Sequence, residues 1–163
     1  MTPCPLPTRR NEPFRYCDID ALASVWPVAV ESIIVAADQN WSHAIINTAP
    51  SDDVFVRHLA LNLEAGSRGR LQILNAGGRL GRIVVDVTLH AQCDFTLDAV
   101  QLGSGKQTVE LITTITHVEP GATSNQQVRS ILSGHATGSY LGKVAVARDA
   151  QKTDSVQSVK AML

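Results

Sequence analysis

The chain has 163 residues, of which 44% are hydrophobic and 18% are charged, and its formal net charge at pH 7 is -1. This length suits one domain that buries roughly two-thirds of its unfolded surface. Such a composition excludes an intrinsically disordered chain. The near-zero net charge also argues against a protein that coats nucleic-acid phosphates or anionic lipid.

The cysteines, Cys4, Cys17 and Cys93, are odd in number and have no CxxC spacing. They therefore predict neither a disulfide framework nor a metal knuckle, and they fit a reducing compartment. The opening residues MTPCPLPTRR lack the apolar core of a signal peptide, and no run reaches the roughly 18 apolar residues of a membrane span. We expect a cytoplasmic protein.

Residues 1–28 form the first predicted unit, an extended N-terminal segment followed by one short helix. Four of the seven prolines lie in residues 1–17, so this part is expected to be irregular. Asp18 is a candidate N-cap, and Ile19, Leu22 and Val25 recur at helical spacing until Pro27.

Residues 29–163 form the second predicted unit, and almost all of it alternates between apolar and polar residues as strands do. The expected strand cores lie near residues 28–30, 33–35, 44–46, 59–63, 83–89, 95–99, 109–115, 131–132 and 144–146. Their beginnings recur about every 11 to 19 residues, too closely for a helical crossover between them. The fold class is therefore all-β.

A sandwich of antiparallel hairpins and a parallel β-helix are the two competing architectures. Hairpins favour Asn-Gly or Asp-Gly turns, and neither dipeptide occurs in the chain. Longer polar corners separate the strands instead: EAGSRGR, NAGGRLGR, QLGSGKQ, VEPGATSNQQ and RDAQKTDSVQ. The pattern slightly favours the β-helix, in which corner Ser, Thr, Asn and Gln can bond to the next coil.

Candidate chemical motifs have simpler structural interpretations. GSGKQT, residues 103–108, fails the phosphate-loop pattern at Val100 and Gln107, and it is interpreted as a surface turn. The glycines of NAGGRLGR lack the strand-turn-helix setting of a dinucleotide site, and they are interpreted as permitting a close corner. No GxSxG is present, the serines lie in turns, and the acidic residues are scattered rather than paired, so we expect no catalytic residues.

None of the five histidines forms an HxH or HExxH pair, so no zinc site is expected; they are His43, His58, His90, His117 and His135. His117 ends the run TTITH. Its preferred interpretation is an imidazole at a strand end that bonds to the following loop backbone, and a role in ligand binding or proton transfer is the alternative.

The opening LPTRRNEPFRY, followed by CDIDAL, resembles the signature of the SufD branch of the SufB/SufD family, which acts in SUF iron-sulfur cluster assembly. Phe14 stands where tryptophan is usual and Cys17 where threonine is common. The second half also resembles the family core in TTITHVEPGATSNQQVRSIL and GSYLGKVAVARDAQKTDSVQSVKAML. The matching positions there are His117, Pro120, Ser124, Gln126, Arg129, Gly142, Lys143, Gln151, Lys152, Thr153, Asp154 and Gln157. Residues 41–66 match least.

The resemblance implies a right-handed parallel β-helix, here a partial one. It also implies that the polar run Gln151-Lys152-Thr153-Asp154 is a corner whose side chains bond to neighbouring coils. Family members continue through further coils, a cysteine-histidine-glycine motif and helices that dock the SufC ATPase. We therefore expect a truncated chain that lacks the SufC-docking region.

The function implied by the resemblance is that of a scaffold subunit for cluster assembly with SufB-like and SufC-like partners. It implies no enzymatic activity and no cofactor held on this chain, although the family complex handles a nascent cluster. Self-association through the C-terminal coil is expected. The alternative is a carbohydrate-active or carbohydrate-binding β-helix module, which the 4% aromatic content disfavours.

Overall fold

The computed structural model describes residues 3–163, which form ten strands and two short helices. The helices are η1, Glu12–Phe14, and α1, Ile19–Ala23. The strands are β1 Val30–Val35, β2 Asn40–Asn47, β3 Val54–Leu63, β4 Arg68–Asn75, β5 Leu80–Leu89, β6 Asp94–Gly103, β7 Thr108–His117, β8 Thr123–Leu132, β9 Thr137–Val146 and β10 Asp154–Met162. Neither described helix has the length and apolar character that crossing a bilayer requires.

Successive strands belong to opposite sheets. Sheet A has the order β1-β3-β5-β7-β9 and sheet B has the order β10-β8-β6-β4-β2, with parallel pairing throughout. One coil therefore consists of one strand from each sheet, and β5 pairs with β3 and β7 rather than with its neighbours in sequence. The prediction of an all-β, parallel β-helix is confirmed.

Inward-facing residues of the two sheets build one continuous core, because alternate side chains of every strand point between the sheets. Phe95, Leu71 and Leu111 are among its fully buried members. Phe95 lies opposite Gly69 of the preceding coil, where a β-carbon would come within 3.2 Å of its ring. A glycine on one coil thus makes room for an aromatic ring on the next.

A row of buried amides runs along one edge of the core. The Asn47 side chain donates to Asn75 at 2.8 Å, 28 residues further on, and Asn75 donates to the carbonyl of Gly81 at 2.8 Å. Each amide thus satisfies polar groups on the next coil, as buried polar groups require. The row keeps successive coils in register.

The N-terminal segment packs against the outer face of sheet A. Asp18 caps α1 by accepting a hydrogen bond from the Ala21 amide at 3.0 Å, as the sequence predicts. Leu22 and Cys17 are fully buried against Leu80 and form a second apolar cluster outside the coils. The division of the chain at residues 28 and 29 stays a prediction.

Several boundaries differ from the sequence prediction. The helix ends at Ala23 rather than reaching Pro27, and a 3-10 turn interrupts the segment expected to be irregular. The predicted strand cores do not include β4, because its first three residues lie in the proposed corner EAGSRGR, or β10, because its first four residues lie in the proposed corner RDAQKTDSVQ. Strand β8 begins at Thr123, so half of the proposed corner VEPGATSNQQ is strand.

The corners NAGGRLGR and GSGKQT have the structures expected for them, a close corner and a surface turn. A β-carbon at Gly77 would overlap the backbone nitrogen of Ala49 and lie within 2.6 Å of the Thr48 carbonyl carbon, so two corners approach closely there. GSGKQT contains the turn between β6 and β7, in which Gln107 accepts a hydrogen bond from the Ser104 amide at 3.0 Å. Gly105 in that turn has a φ of 60°, which favours glycine.

The polar corner before β10 is held differently from the prediction. Its described hydrogen bonds to the preceding coil are made by the backbone: the Ala147 amide donates to the His117 carbonyl at 2.8 Å, and the Asp154 amide donates to the Ala122 carbonyl at 3.2 Å. Ala150 is fully buried in this corner, whereas Gln151 and Lys152 are exposed. The described hydrogen bonds include none from the side chains of residues 151–154 to a neighbouring coil, so the expectation that these side chains bond to neighbouring coils is wrong.

Candidate functional site

The interior of the β-helix becomes polar in its last coils. Thr113 and His117 point inward from β7, and Ser124 and Gln126 point inward from β8 on the opposite wall. All four side chains are buried. The preceding coil fills the same positions with Val85, Leu89, Phe95 and Leu97, so this polar cluster is a local feature that two strands create together.

His117 is the last residue of β7 and is completely buried. Its Nε2 lies 3.2 Å from the Ser124 hydroxyl oxygen, and Ser124 donates to the Ser155 hydroxyl at 2.9 Å. The position at a strand end matches the prediction, but the bonding partner is a serine on the facing strand instead of the following loop backbone. The Nδ1 atom is buried without a partner among residues 3–163.

Gln126 is the centre of a second group of hydrogen bonds. Its Oε1 accepts from the Thr113 hydroxyl at 2.9 Å and from the Tyr140 hydroxyl at 3.3 Å. Tyr140 in turn accepts from Gln157 Nε2 at 3.4 Å. The Gln126 amide nitrogen is buried and has no partner in the described part of the chain. Two unsatisfied polar atoms thus lie in one interior region, where each costs free energy unless a polar molecule reaches it.

Gly142 explains how Tyr140 reaches this cluster. A β-carbon at Gly142 would overlap the Tyr140 hydroxyl and lie 2.8 Å from Gln157 Nε2. The glycine therefore leaves space for the tyrosine to lie over the coil interior. Gly142 and Gln157 are among the residues that the family resemblance predicts, whereas Tyr140 and Thr113 are not, although the inward position of Thr113 follows from the alternation of TTITH.

The remaining family-matched residues lie apart from the cluster. Arg129 points outward from β8, and its guanidinium donates to the carbonyl of Ser158 at 3.1 Å. Lys143 lies in β9, and Gln151, Lys152 and Thr153 precede β10. These side chains do not converge on the interior group.

The cysteines are free and separated, with Cys4 exposed and Cys17 and Cys93 buried. Burial, together with the nearby Glu110 carboxylate, raises the pKa of the Cys17 thiol to about 12. Cys17 is therefore a protonated, unreactive thiol at neutral pH. Among residues 3–163 no three His, Cys, Asp or Glu side chains are grouped to hold a metal ion.

We expect the burial of His117 to make stability depend on pH. Desolvation holds the pKa of the buried imidazole below its ordinary value, so the unfolded chain binds this proton at higher pH than the folded chain does. Stability therefore falls as the pH drops below about 6.5, with a slope of at most about 1.4 kcal/mol per pH unit for one proton.

Urea unfolding between pH 5 and pH 8 measures this dependence. The variant His117→Gln keeps a polar partner for Ser124 but removes the titration, so its curve should be flatter than that of the wild type. His135→Gln is the control, because His135 is exposed in a corner. Parallel curves for wild type and His117→Gln would contradict the assignment.

The end of the β-helix that β9 and β10 form also has open strand edges. Strands β9 and β10 each have one edge without a neighbouring strand among residues 3–163. Val146 continues the inward row of His117, and Val159 continues that of Val128, yet the two valines are 52% and 50% exposed. Unpaired backbone groups and half-exposed core residues make this edge a template for pairing with another strand.

We expect the 163-residue chain to self-associate through this edge, as the sequence also predicts. Light scattering during size-exclusion chromatography should show dimers or larger species that increase with concentration. The variant Val159→Lys should raise the dissociation constant at least about tenfold, since burying a lysine charge costs more than 1.4 kcal/mol.

Val100→Lys is the matched control, because Val100 lies on the outer face of the central strand β6. The variant Val100→Lys should associate as strongly as the wild type does. A monomeric wild type over a wide concentration range would contradict the expectation.

Comparison with known proteins agrees with the resemblance. The family model described as SUF system FeS cluster assembly, SufBD core domain, matches residues 16–163. No curated protein and no solved structure gave a significant match. The match spans the coils, the polar cluster and the open edge, and it begins within the N-terminal segment. The chain therefore belongs to the SufBD core family of SUF iron-sulfur cluster assembly proteins.

Proposed function

We propose that the chain acts as a SufD-type scaffold subunit in SUF iron-sulfur cluster assembly. The observation that carries this proposal is the family match over residues 16–163. The opening LPTRRNEPFRY, which resembles the SufD branch, supports SufD over SufB. In this role the protein catalyses no reaction itself and binds a SufB-type subunit, in a complex to which a SufC-type ATPase contributes nucleotide hydrolysis.

The open edge at β9 and β10 supports a scaffold role, because a partner strand can add to a parallel sheet through main-chain hydrogen bonds. Backbone pairing supplies affinity, and the rows that end at Val146 and Val159 supply an apolar contact. The free cysteines fit a cytoplasmic location, where thiols stay reduced. The carbohydrate alternative gains no support, since Trp41 and Trp26 pack against the two apolar clusters instead of forming an exposed row.

Co-expression with a SufB-type subunit tests the proposal. A tagged chain should retain the SufB-type protein through affinity and size-exclusion steps, with equal amounts of the two subunits. Val159→Lys should reduce the amount retained, and Val100→Lys should not. If the SufB-type protein does not co-elute with the wild-type chain, or if Val159→Lys retains it fully, a scaffold that works through this edge is contradicted.

We expect no stable iron-sulfur cluster on the isolated chain. Such clusters are usually held by four cysteine thiolates, whereas this chain has three cysteines that lie in separate segments. Anaerobic reconstitution followed by desalting and iron and sulfide analysis measures this directly. Stoichiometric iron that survives desalting would show that the chain holds a cluster itself.

A further inference from the structure

A groove of about 300 Å³ lies between the N-terminal segment and the outer face of sheet A. Phe14, Leu22 and Trp26 form one wall, and Val56 and Val84 lie on the floor. This volume is at the lower end of the range for small-molecule sites, which are typically apolar with a few polar groups. The groove is separate from the polar cluster and from the open edge.

The outer rim of the groove is polar. His58 Nε2 lies 2.6 Å from Asp86 Oδ2, and Thr114 lies beside Asp86 on the next strand. An ionised carboxylate accepts only, so the imidazole N–H donates to it. The second carboxylate oxygen, Oδ1, makes no hydrogen bond among residues 3–163, and Asp86 is 46% exposed at its side chain. The rim therefore offers a negatively charged acceptor to a ligand.

The charged side chain at the inner end of the groove, Arg82, already has its partners within the protein. Arg82 pairs with Glu110 at 2.9 Å, donates to the Pro13 carbonyl at 2.8 Å and lies 4.1 Å from the centre of the Phe14 ring. Its charge is thus compensated by the protein. A ligand that enters the groove meets an apolar interior. The charged group that is free to bind it is the Asp86 carboxylate at the rim.

We propose that this groove binds a small amine whose body is an aromatic ring or a branched aliphatic group. The apolar body lies between Trp26 and Val84, and the ammonium group donates to Asp86 at the rim. This site is independent of the scaffold role, so either proposal can fail without the other.

Fluorescence of Trp26 tests the proposal. The chain has two tryptophans, and Trp41→Phe leaves Trp26 as the reporter in the groove. Titration with phenethylamine should give a saturable change in emission. 2-Phenylethanol, which has the same ring without the charge, should bind about tenfold more weakly, since it cannot form an ion pair with the Asp86 carboxylate. Ethylamine, which lacks the ring, should give no saturable change.

Two variants locate the site. Val84→Phe fills the groove and should abolish the change, whereas Val100→Phe adds the same ring to the outer face of sheet B and should leave it intact. Asp86→Asn should weaken phenethylamine about tenfold and leave 2-phenylethanol unaffected. It provides the test if circular dichroism shows that Val84→Phe does not fold. Equal affinity for the amine and the alcohol, or unchanged binding by both variants, would overturn the proposal.

Discussion

Replacing Glu110 with alanine is expected to destabilise the protein by about 3–5 kcal/mol, because it leaves the Arg82 guanidinium buried without its carboxylate partner. The two side chains are 1% and 3% exposed, and their charged atoms are 2.9 Å apart. Arg82 also donates to the Pro13 carbonyl and packs against Phe14. This ion pair therefore holds Arg82 in place for one of the contacts between the N-terminal segment and sheet A.

Urea unfolding measures the loss, and limited proteolysis near Arg15 measures release of the segment. The double variant Arg82→Met, Glu110→Leu removes both charges and should be more stable than Glu110→Ala, since an apolar pair can replace a buried ion pair. Glu31→Ala is the control, because it breaks the more exposed pair with Arg57 and should cost at most about 1 kcal/mol. A Glu110→Ala loss no larger than the control's would show that the pair does not anchor the segment.

Replacing Phe95 with alanine is also expected to cost about 3–5 kcal/mol, the range for a fully buried aromatic ring. The ring fills the space over Gly69, and the strands around it are fixed by backbone pairing on both sides. The cavity can therefore collapse only partly. Phe55→Ala is the matched control, because Phe55 is only partly buried against the same core, and its loss should be smaller.

A double-mutant cycle tests the contact between the two coils. A β-carbon at Gly69 would lie 2.9 Å from a Leu63 methyl and 3.2 Å from the Phe95 ring. Gly69→Ala should therefore destabilise the wild type and cost less in the Phe95→Ala background, where the contact with the ring is gone. Additive losses would indicate that residues 69 and 95 do not share this space.

The strands could be predicted from the sequence because the inward rows of most of them are apolar, whereas the choice of a β-helix over a sandwich depended mainly on the family resemblance. The alternation of residues 83–89 and 109–115 marks inward and outward faces, and the absence of hairpin turns favours pairing with the strand after next. Strand β4 was hidden for a physical reason. Gly69 and Asn75 take inward positions where a pattern search expects large apolar residues, because Phe95 fills the first space and the amide row needs the second.

The candidate site could be predicted only in part. Family resemblance singled out His117, Ser124 and Gln126 at positions that lie in the cluster. Their partners Tyr140 and Ser155 come from the next coil, and sequence spacing does not indicate which side chains meet across the interior. The groove beside Trp26 depends on how the N-terminal segment lies on sheet A, which a pattern of single residues does not determine.

Hydrogen-deuterium exchange on the complex with a SufB-type subunit tests the scaffold proposal most directly. Binding should slow exchange of the backbone amides in β9 and β10 and leave the amides of the central strands β5 and β6 unchanged, because new main-chain hydrogen bonds form at the open edge. The same experiment on Val159→Lys should show weaker protection. Stable binding that protects other surfaces and leaves β9 and β10 as exchangeable as in the free chain would contradict assembly through this edge.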